Sequence, residues 1–357
     1  MRSLARPLLV AALSLTLALG CGDDGTMVDE NPPENGPPDA ADSLSLPDGF
    51  AAEVFVEGLE LPTNVAFPPD GSDRLFVTEL QSGRIWIVEG GERLDEPFAR
   101  LETNVEGGFP IEGENGLIGL TFDPDYATNG YVYVTYARRP PEQEGSEAEA
   151  LGAVARLTDV GNRGEDFTVL LDSIPSAPGH QVQNLTFGPD GKLYVSVGDA
   201  YREDAVQDTS SLVGKILRLN PDGTIPDDNP FPGSYTYALG FRNGFDLAFD
   251  ANGDLYMTDN GPDKGDELNR VVAGGNYGWP DVLGDRDDPD TIAPLYEWSE
   301  TVAPSGMHFY DGDQFPAAYR DALFLVLFGG TSPDSRRVQV VRDLEAADGP
   351  SFEDFAV

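Results

Sequence analysis

Short runs in which apolar and polar residues alternate recur in pairs along the chain. Each pair is joined by a turn rich in Asp, Gly and Asn. Alternation at period two predicts β-strands, and the turns predict hairpins. One phrase repeats: VAFPPDGSDRLFV at 65–77, LTFDPDYATNGYVYV at 120–134, LTFGPDGKLYVSV at 185–197 and LAFDANGDLYMTD at 247–259. A degenerate fifth copy, MHFYDGDQFPAAYRDALFLVLF, runs from 307 to 328. The marker residues Phe67, Phe122, Phe187, Phe249 and Phe309 stand 55, 65, 62 and 60 residues apart. Strands of a β-sandwich follow one another every 8–12 residues or so, without such a longer period.

A repeat of this length, built from strand pairs, predicts an all-β propeller with one four-stranded antiparallel blade per repeat. A single blade is too thin to make its own core, so it must stack its faces on its neighbours. Six blades are expected, the last apparently cut short. A sixth copy would fall about 60 residues after Phe309, and the chain ends at Val357.

Residues 1–20 read as an export signal. Arg2 and Arg6 precede an apolar run, Leu8 to Leu19, that is too short to span a bilayer. The run ends in Leu17-Ala18-Leu19-Gly20-Cys21, which resembles a bacterial lipobox. Lipidation of Cys21 is therefore expected. The protein would be exported and held to a membrane only through that lipid, facing the periplasm or the cell exterior. Residues 21–46 are rich in Pro, Asp and Glu and read as a solvated tether, with the propeller domain over 47–357. Cys21 is the only cysteine, so no intramolecular disulfide forms.

The formal net charge is −41, from 63 acidic and 22 basic residues, only three of them lysines. Such a surface repels nucleic acid and anionic lipid heads. Against that background, a basic residue at a site mouth stands out.

Folding each hairpin about its turn brings chemistry together, because paired residues have numbers of nearly constant sum. About a turn centred near Asp190, His180 and Asp199 reach the same open end. A carboxylate there would fix the imidazole tautomer and stabilise the imidazolium, which makes a general base. About a turn near Asn252, Arg242 and Asn243 come level with Asn260, Gly261 and Pro262. Glu114 and Asn115 share an end with Arg138 and Arg139, and Thr63 and Asn64 face Glu79. The opposite end collects Asp-Gly turns, ordinary hairpin chemistry.

Structural roles stand beside these. His180 could be a strand-start histidine and Arg242 an ion-pair partner; His308, in the weakest repeat, reads as structural. Asp259, Asp263, Asp266 and Glu267 form either a solvated charge run or oxygen ligands for calcium. Two histidines are too few for a multi-histidine zinc or iron site. No P-loop or dinucleotide fingerprint appears, which argues against nucleotide cofactors.

With these residues in place, the chain resembles the glucose/sorbosone dehydrogenase family, six-bladed quinoprotein propellers that bind pyrroloquinoline quinone (PQQ). GENGLIGLTFDPDY at 113–126, GHQVQNLTFGPDGKLYVSVGD at 179–199 and GKILRLNPDGTIPDDNPF at 214–231 carry the resemblance. So do GFRNGFDLAFD at 240–250, DNGPDKGDELNRVVAGGNYGWP at 259–280 and APSGMHFYDGDQFP at 303–316. The resemblance implies PQQ- and calcium-dependent oxidation of an aldose or related sugar, with an external electron acceptor. His180 matches the general base and Asp199 its orienting carboxylate. Arg242 and Asn243 match quinone-binding residues, Gly261 and Pro262 match carbonyl ligands of calcium, and Glu114 matches a position near the substrate. The family supplies further basic residues from its last two blades. Here LFGGTSPDSRRVQVV at 327–341 offers only Arg336 and Arg337 as stand-ins. Two other classes remain: a calcium-dependent lactonase-type hydrolase, and a non-catalytic propeller that binds carbohydrate or protein.

Overall fold

A computed structural model of the chain describes residues 44–101, 113–138, 150–262, 264–284, 288–330, 336–346 and 348–357. The signal, Cys21 and most of the tether lie outside them. So do Arg139 and Asp263.

Five antiparallel sheets follow one another along the chain. Blade 1 holds β1 (Pro62–Ala66), β2 (Leu75–Glu79) and β3 (Arg84–Glu89), with two short strands, β4 (Glu92–Arg93) and β5 (Ala99–Arg100), both pairing with β3. Blade 2 holds β6 (Leu117–Phe122), β7 (Tyr131–Arg138), β8 (Leu151–Asp159) and β9 (Gly164–Pro175). Blade 3 holds β10 (Val182–Phe187), β11 (Leu193–Val197), β12 (Lys215–Leu219) and β13 (Thr236–Leu239). Blade 4 holds β14 (Gly244–Phe249), β15 (Leu255–Asp259), β16 (Glu267–Val271) and β17 (Tyr296–Glu297). Blade 5 holds β18 (Pro304–Phe309), β19 (Leu323–Leu327), β20 (Arg337–Arg342) and β21 (Ser351–Ala356). The first strands β1, β6, β10, β14 and β18 neighbour one another in that order, as in a propeller.

The repeated phrase works by packing each blade on the one before it. Phe122 meets Phe76, Phe187 meets Tyr133, Phe249 meets Tyr194 and Phe309 meets Tyr256, with ring centroids 5.0, 5.1, 5.1 and 5.3 Å apart. Such pairs add about 0.5–1.5 kcal/mol to the burial itself. Beside this aromatic ladder runs a polar one. The hydroxyls of Thr78, Thr135 and Ser196 donate to the carbonyls of Ile118, Gln183 and Gly244 in the next blade, at 3.2, 2.5 and 2.5 Å. Between blades 4 and 5 the stitch is different: the Met307 N–H donates to Asp246 Oδ2 at 2.8 Å.

The described residues thus form five blades, not the six expected. Apolar side chains ahead of the first repeat cover the two outward faces that a further blade would meet. Leu46 and Phe50 pack on blade 5, while Phe55, Val56 and Leu59 pack on blade 1. Ser45 and Val357 exchange backbone hydrogen bonds of 2.8 and 3.2 Å. Phe67, the marker with no preceding blade to meet among the described residues, stays 47% exposed.

In every blade the register slips by one residue within the first strand. This repeated bulge re-aims the residues that lead into the strand. Those residues form one end of the propeller, where the candidate site lies.

Candidate active site

The pairing of Val182 with Val197 places His180 and Asp199 just beyond the β10–β11 hairpin. The two approach closely: His180 Nδ1 lies 2.7 Å from Asp199 Oδ1, and both residues are buried. The crossing is tight. Ala200 N–H donates to the His180 carbonyl and Gly198 N–H to that of Gln181. A Cβ on Gly198 would sit 2.6 Å from the His180 backbone, so only glycine fits there. His180, Ala200 and Tyr201 all take left-handed backbone conformations, with φ of 58°, 50° and 57°. Non-glycine residues held this way cost on the order of 1–3 kcal/mol each, and such strain concentrates at functional sites.

Both carboxylate oxygens of Asp199 are engaged. Its Oδ1 also accepts the Tyr201 N–H at 2.9 Å, and its Oδ2 accepts Trp279 Nε1–H at 2.8 Å. An ionised carboxylate only accepts, so the Nδ1 proton belongs to the ring and the Nε2 lone pair is left for a substrate proton. Among the described residues Nε2 has no hydrogen-bond partner.

Glu114 reaches the same place from blade 2. Its Oε2 accepts the His180 N–H and Gln183 Nε2–H, both at 3.0 Å, and its backbone carbonyl accepts from Gln181. Gln183 Nε2 also donates to Asn243 Oδ1 at 3.3 Å, which ties blade 3 to blade 4. Asn115 is buried beside this group and takes a hydrogen bond from Ser176.

On blade 4, Gly244 pairs with Asp259, so Arg242 and Asn243 fall level with Gly261 and Asn260. Buried Asp259 accepts the backbone N–H groups of Arg242 and Asn243 at 3.0 and 2.7 Å. Desolvation pushes its carboxyl up to about 6 despite those donors. The Arg242 guanidinium bonds only neutral oxygens, the carbonyls of Asn260 and Gly261 at 2.9 and 2.7 Å. Among the described residues no carboxylate pairs with it. It lies 5.7 Å from the Trp279 ring centroid, in cation–π range.

The acidic run resolves into separate roles. Asp266 accepts the N–H groups of Gly261, Val302 and Ala303 and so holds the Gly261 turn. Glu267 is buried, and desolvation followed by the charge of Asp259 pushes it up to about 8. Pro262 is exposed. Among the described residues no cluster of three or more His, Cys, Asp or Glu side chains is arranged to hold a metal.

Other residues at this end are taken up elsewhere. Glu79 accepts from Glu60 N–H and Ser82 Oγ, and Thr63 bonds Thr78 and the Leu117 carbonyl. Asn64 donates to Asn184, and Arg138 pairs with Asp172. Arg336 stacks on Phe328, and Arg337 pairs with Asp354. His308 lies on β18 opposite Phe324, away from His180.

Sequence reasoning missed the residues that bind these parts together. Trp279 touches both Asp199 and Arg242, and Gln207 Nε2 holds the Trp279 carbonyl at 2.6 Å. Lys215, wholly buried, donates to the carbonyls of Val206 and Val213, which bracket the return from Asp199 to β12. Burial lowers its pKa to about 8. All three lie between or beyond the repeated phrases, where no periodicity marks them. The available signal was that Lys215 and Trp279 fall in segments that carry the family resemblance, at 214–231 and 259–280.

One mouth of the propeller thus gathers an oriented histidine, an arginine with no carboxylate partner among the described residues, and several buried amides. Residues 59–331 match the Glucose / Sorbosone dehydrogenase family, and the chain belongs to it. Quinoprotein glucose dehydrogenase B of Acinetobacter calcoaceticus is 33% identical over 267 residues, 68% of this chain and 54% of that protein. The chain thus spans about half the length of that relative. The PQQ-bound form of aldose sugar dehydrogenase from Streptomyces coelicolor superposes with a TM-score of 0.68 at 26% identity, covering 87% of this chain and 85% of that one. Hedgehog-interacting protein of Homo sapiens is 29% identical over 197 residues, 51% of this chain and 28% of that protein.

Proposed function

We propose that this chain oxidises an aldose at C1, with His180 as general base and PQQ and calcium bound at the same mouth. The observation that carries the reading is the His180–Asp199 pair, 2.7 Å apart, with Nε2 left free among the described residues.

The donor chemistry fits the cofactors. PQQ carries three carboxylates, and among the described residues Arg242 has no carboxylate partner of its own. Calcium takes carbonyl and amide oxygens. Asn260 Oδ1 is buried here with no hydrogen-bond partner among the described residues, next to Gly261. Arg242 and Asn243 would hold the quinone, and the carbonyls of Gly261 and Pro262 would hold the calcium. When bound, the quinone would supply the hydride acceptor, to be reoxidised by an external electron acceptor.

The chain's own residues do the rest. His180 Nε2 takes the C1 hydroxyl proton as the C1 hydrogen departs as hydride, which balances the two-electron oxidation. Asp199 stabilises the imidazolium, and Trp279 and the Tyr201 N–H keep the carboxylate in place. Glu114 fixes the His180 backbone from the neighbouring blade. Export and lipid attachment at Cys21 belong to the same proposal; Cys21→Ser should leave the protein in the soluble fraction.

One observation favours a second reading, a propeller that binds without catalysis. Arg336 and Arg337 are engaged elsewhere, so Arg242 faces a triply charged cofactor without their help. Titrating the full chain with PQQ, with and without calcium, separates the two. Calcium-dependent quinone binding and aldose turnover with a dye acceptor support the dehydrogenase. Absence of quinone binding overturns it in favour of the binding propeller.

A further inference from the structure

The Tyr201 backbone helps to hold Asp199, but its side chain has no part in the reaction described above, yet occupies the mouth. The residue is 60% exposed, and its ring meets the His180 imidazole edge-on, with centroids 4.6 Å apart. An exposed tyrosine alone means little. Three constraints set this one apart. Its backbone is left-handed and follows a left-handed Ala200, so the chain holds the ring there against an intrinsic preference. Its N–H is pinned to the carboxylate that orients His180. Finally, its hydroxyl lies over Gly179, where a Cβ would come within 2.7 Å of it. The residue before the base therefore leaves the space the tyrosine occupies.

A substrate whose C1 hydroxyl reaches His180 Nε2 must bring its ring alongside this aromatic face. Pyranoses present one face of C–H bonds, which suits the negative face of an aromatic ring. We propose that Tyr201 is a specificity-determining residue, the platform on which the apolar face of an aldopyranose rests while His180 addresses C1. This assignment rests on the aldose reading of the site. Desolvation and the charges of Glu114 and Asp199 raise the Tyr201 pKa, so the hydroxyl stays protonated and can donate to a sugar oxygen.

The test uses the full chain and two readouts. D-glucose and maltose binding is measured by ligand-observed NMR titration on the quinone-free protein. KM and kcat are then measured on protein loaded with PQQ and calcium. Tyr201→Ala should weaken sugar binding and raise KM about tenfold, with kcat changed far less, because stacking acts on binding. Tyr201→Phe should restore most of the loss, since the ring is retained. A wild-type protein that binds sugar but oxidises none would sink the dehydrogenase reading; the platform would stand if Tyr201→Ala still lost binding. Unchanged sugar affinity and KM in Tyr201→Ala would overturn the platform alone. A fall in kcat at constant KM would overturn it too, by reducing Tyr201 to a prop for His180. Failure of the wild type to bind either sugar would overturn both.

Discussion

Both ends of this propeller are rich in aspartate, but the two ends treat charge in opposite ways. At the turn end, arginines bind carboxylates. Arg74 bonds Asp70 and Asp159, each at 2.7 Å, and Arg218 bonds Asp190 and Asp228 at 2.7 and 2.8 Å. Burial pushes Asp190 up, but Arg218, the Lys192 N–H and Tyr194 pull it below the ordinary carboxylate range. At the mouth, Arg242 binds only carbonyls, and buried Asp259 is met by backbone N–H groups instead of a cation. The turn end neutralises its charges internally. The site itself keeps Arg242 unpaired with the carboxylates of Asp199 and Asp259 among the described residues, unlike Arg138 at the same end, which pairs with Asp172, and a group so arranged can respond to a ligand. The same residue types make a scaffold at one end and a site at the other.

The largest test of this contrast is the base. In quinone-loaded protein, His180→Ala should lose about 10²–10⁴-fold in turnover while keeping quinone binding. Asp199→Asn should lose less, and the two losses should not add, since both act on one proton transfer. Near-wild-type turnover in His180→Ala would remove the histidine from the chemistry.

Next come the two arginines, which should fail differently. Arg242→Ala should weaken quinone binding roughly tenfold to a hundredfold, as expected for losing charge-assisted hydrogen bonds, with little loss of stability. Arg218→Ala should leave quinone affinity unchanged and cost about 2 kcal/mol of stability. Identical behaviour of the two variants would erase the distinction between the ends.

A third test is pH. Desolvation pushes the Asp246 carboxyl up to about 7, against the N–H groups of Met307 and Leu247. A raised carboxylate contributes most below its ordinary value of 3.8, and that contribution is lost as pH rises through about 7. Asp190, held low, behaves in the opposite sense: its contribution is present at neutral pH and lost on acidification. Urea midpoints of Asp246→Asn should therefore fall less than wild type between pH 4.5 and 7.5. A parallel pH profile would show that Asp246 does not titrate in that window.

The smallest effect concerns the stitches between blades. Ser196→Ala should cost about 1 kcal/mol by orphaning its bond to Gly244. Val326→Thr at the equivalent place in blade 5 should gain no such stitch and lose about 1 kcal/mol, because Val326 packs on an apolar cluster and no following blade offers a carbonyl among the described residues.

The repeat and the hairpin registers were legible in the sequence because both follow from local alternation and turn chemistry. Folding the strings about Asp190 and Asn252 was enough to set His180 against Asp199 and Arg242 against Gly261. The number of blades was harder to read. Whether a face meets another blade or a passing segment depends on residues such as Phe50 and Phe55, which precede the repeat and share none of its pattern. Trp279 was invisible as a functional residue for a related reason. Its contacts to Asp199 and Arg242 span 80 and 37 positions, and no local spacing encodes them. Arg138 misled, since its place at the open end says nothing of Asp172, the partner that occupies it.

Trp279 also bears on how the site can change over generations. One indole is hinged to the carboxylate behind the base and lies beside the guanidinium on the next blade. A drift that shifts the loop by a fraction of an ångström reaches both at once. In the proposed mechanism, proton abstraction and anion affinity are therefore inherited together, and variation has freer play at the rim, in the exposed ring of Tyr201.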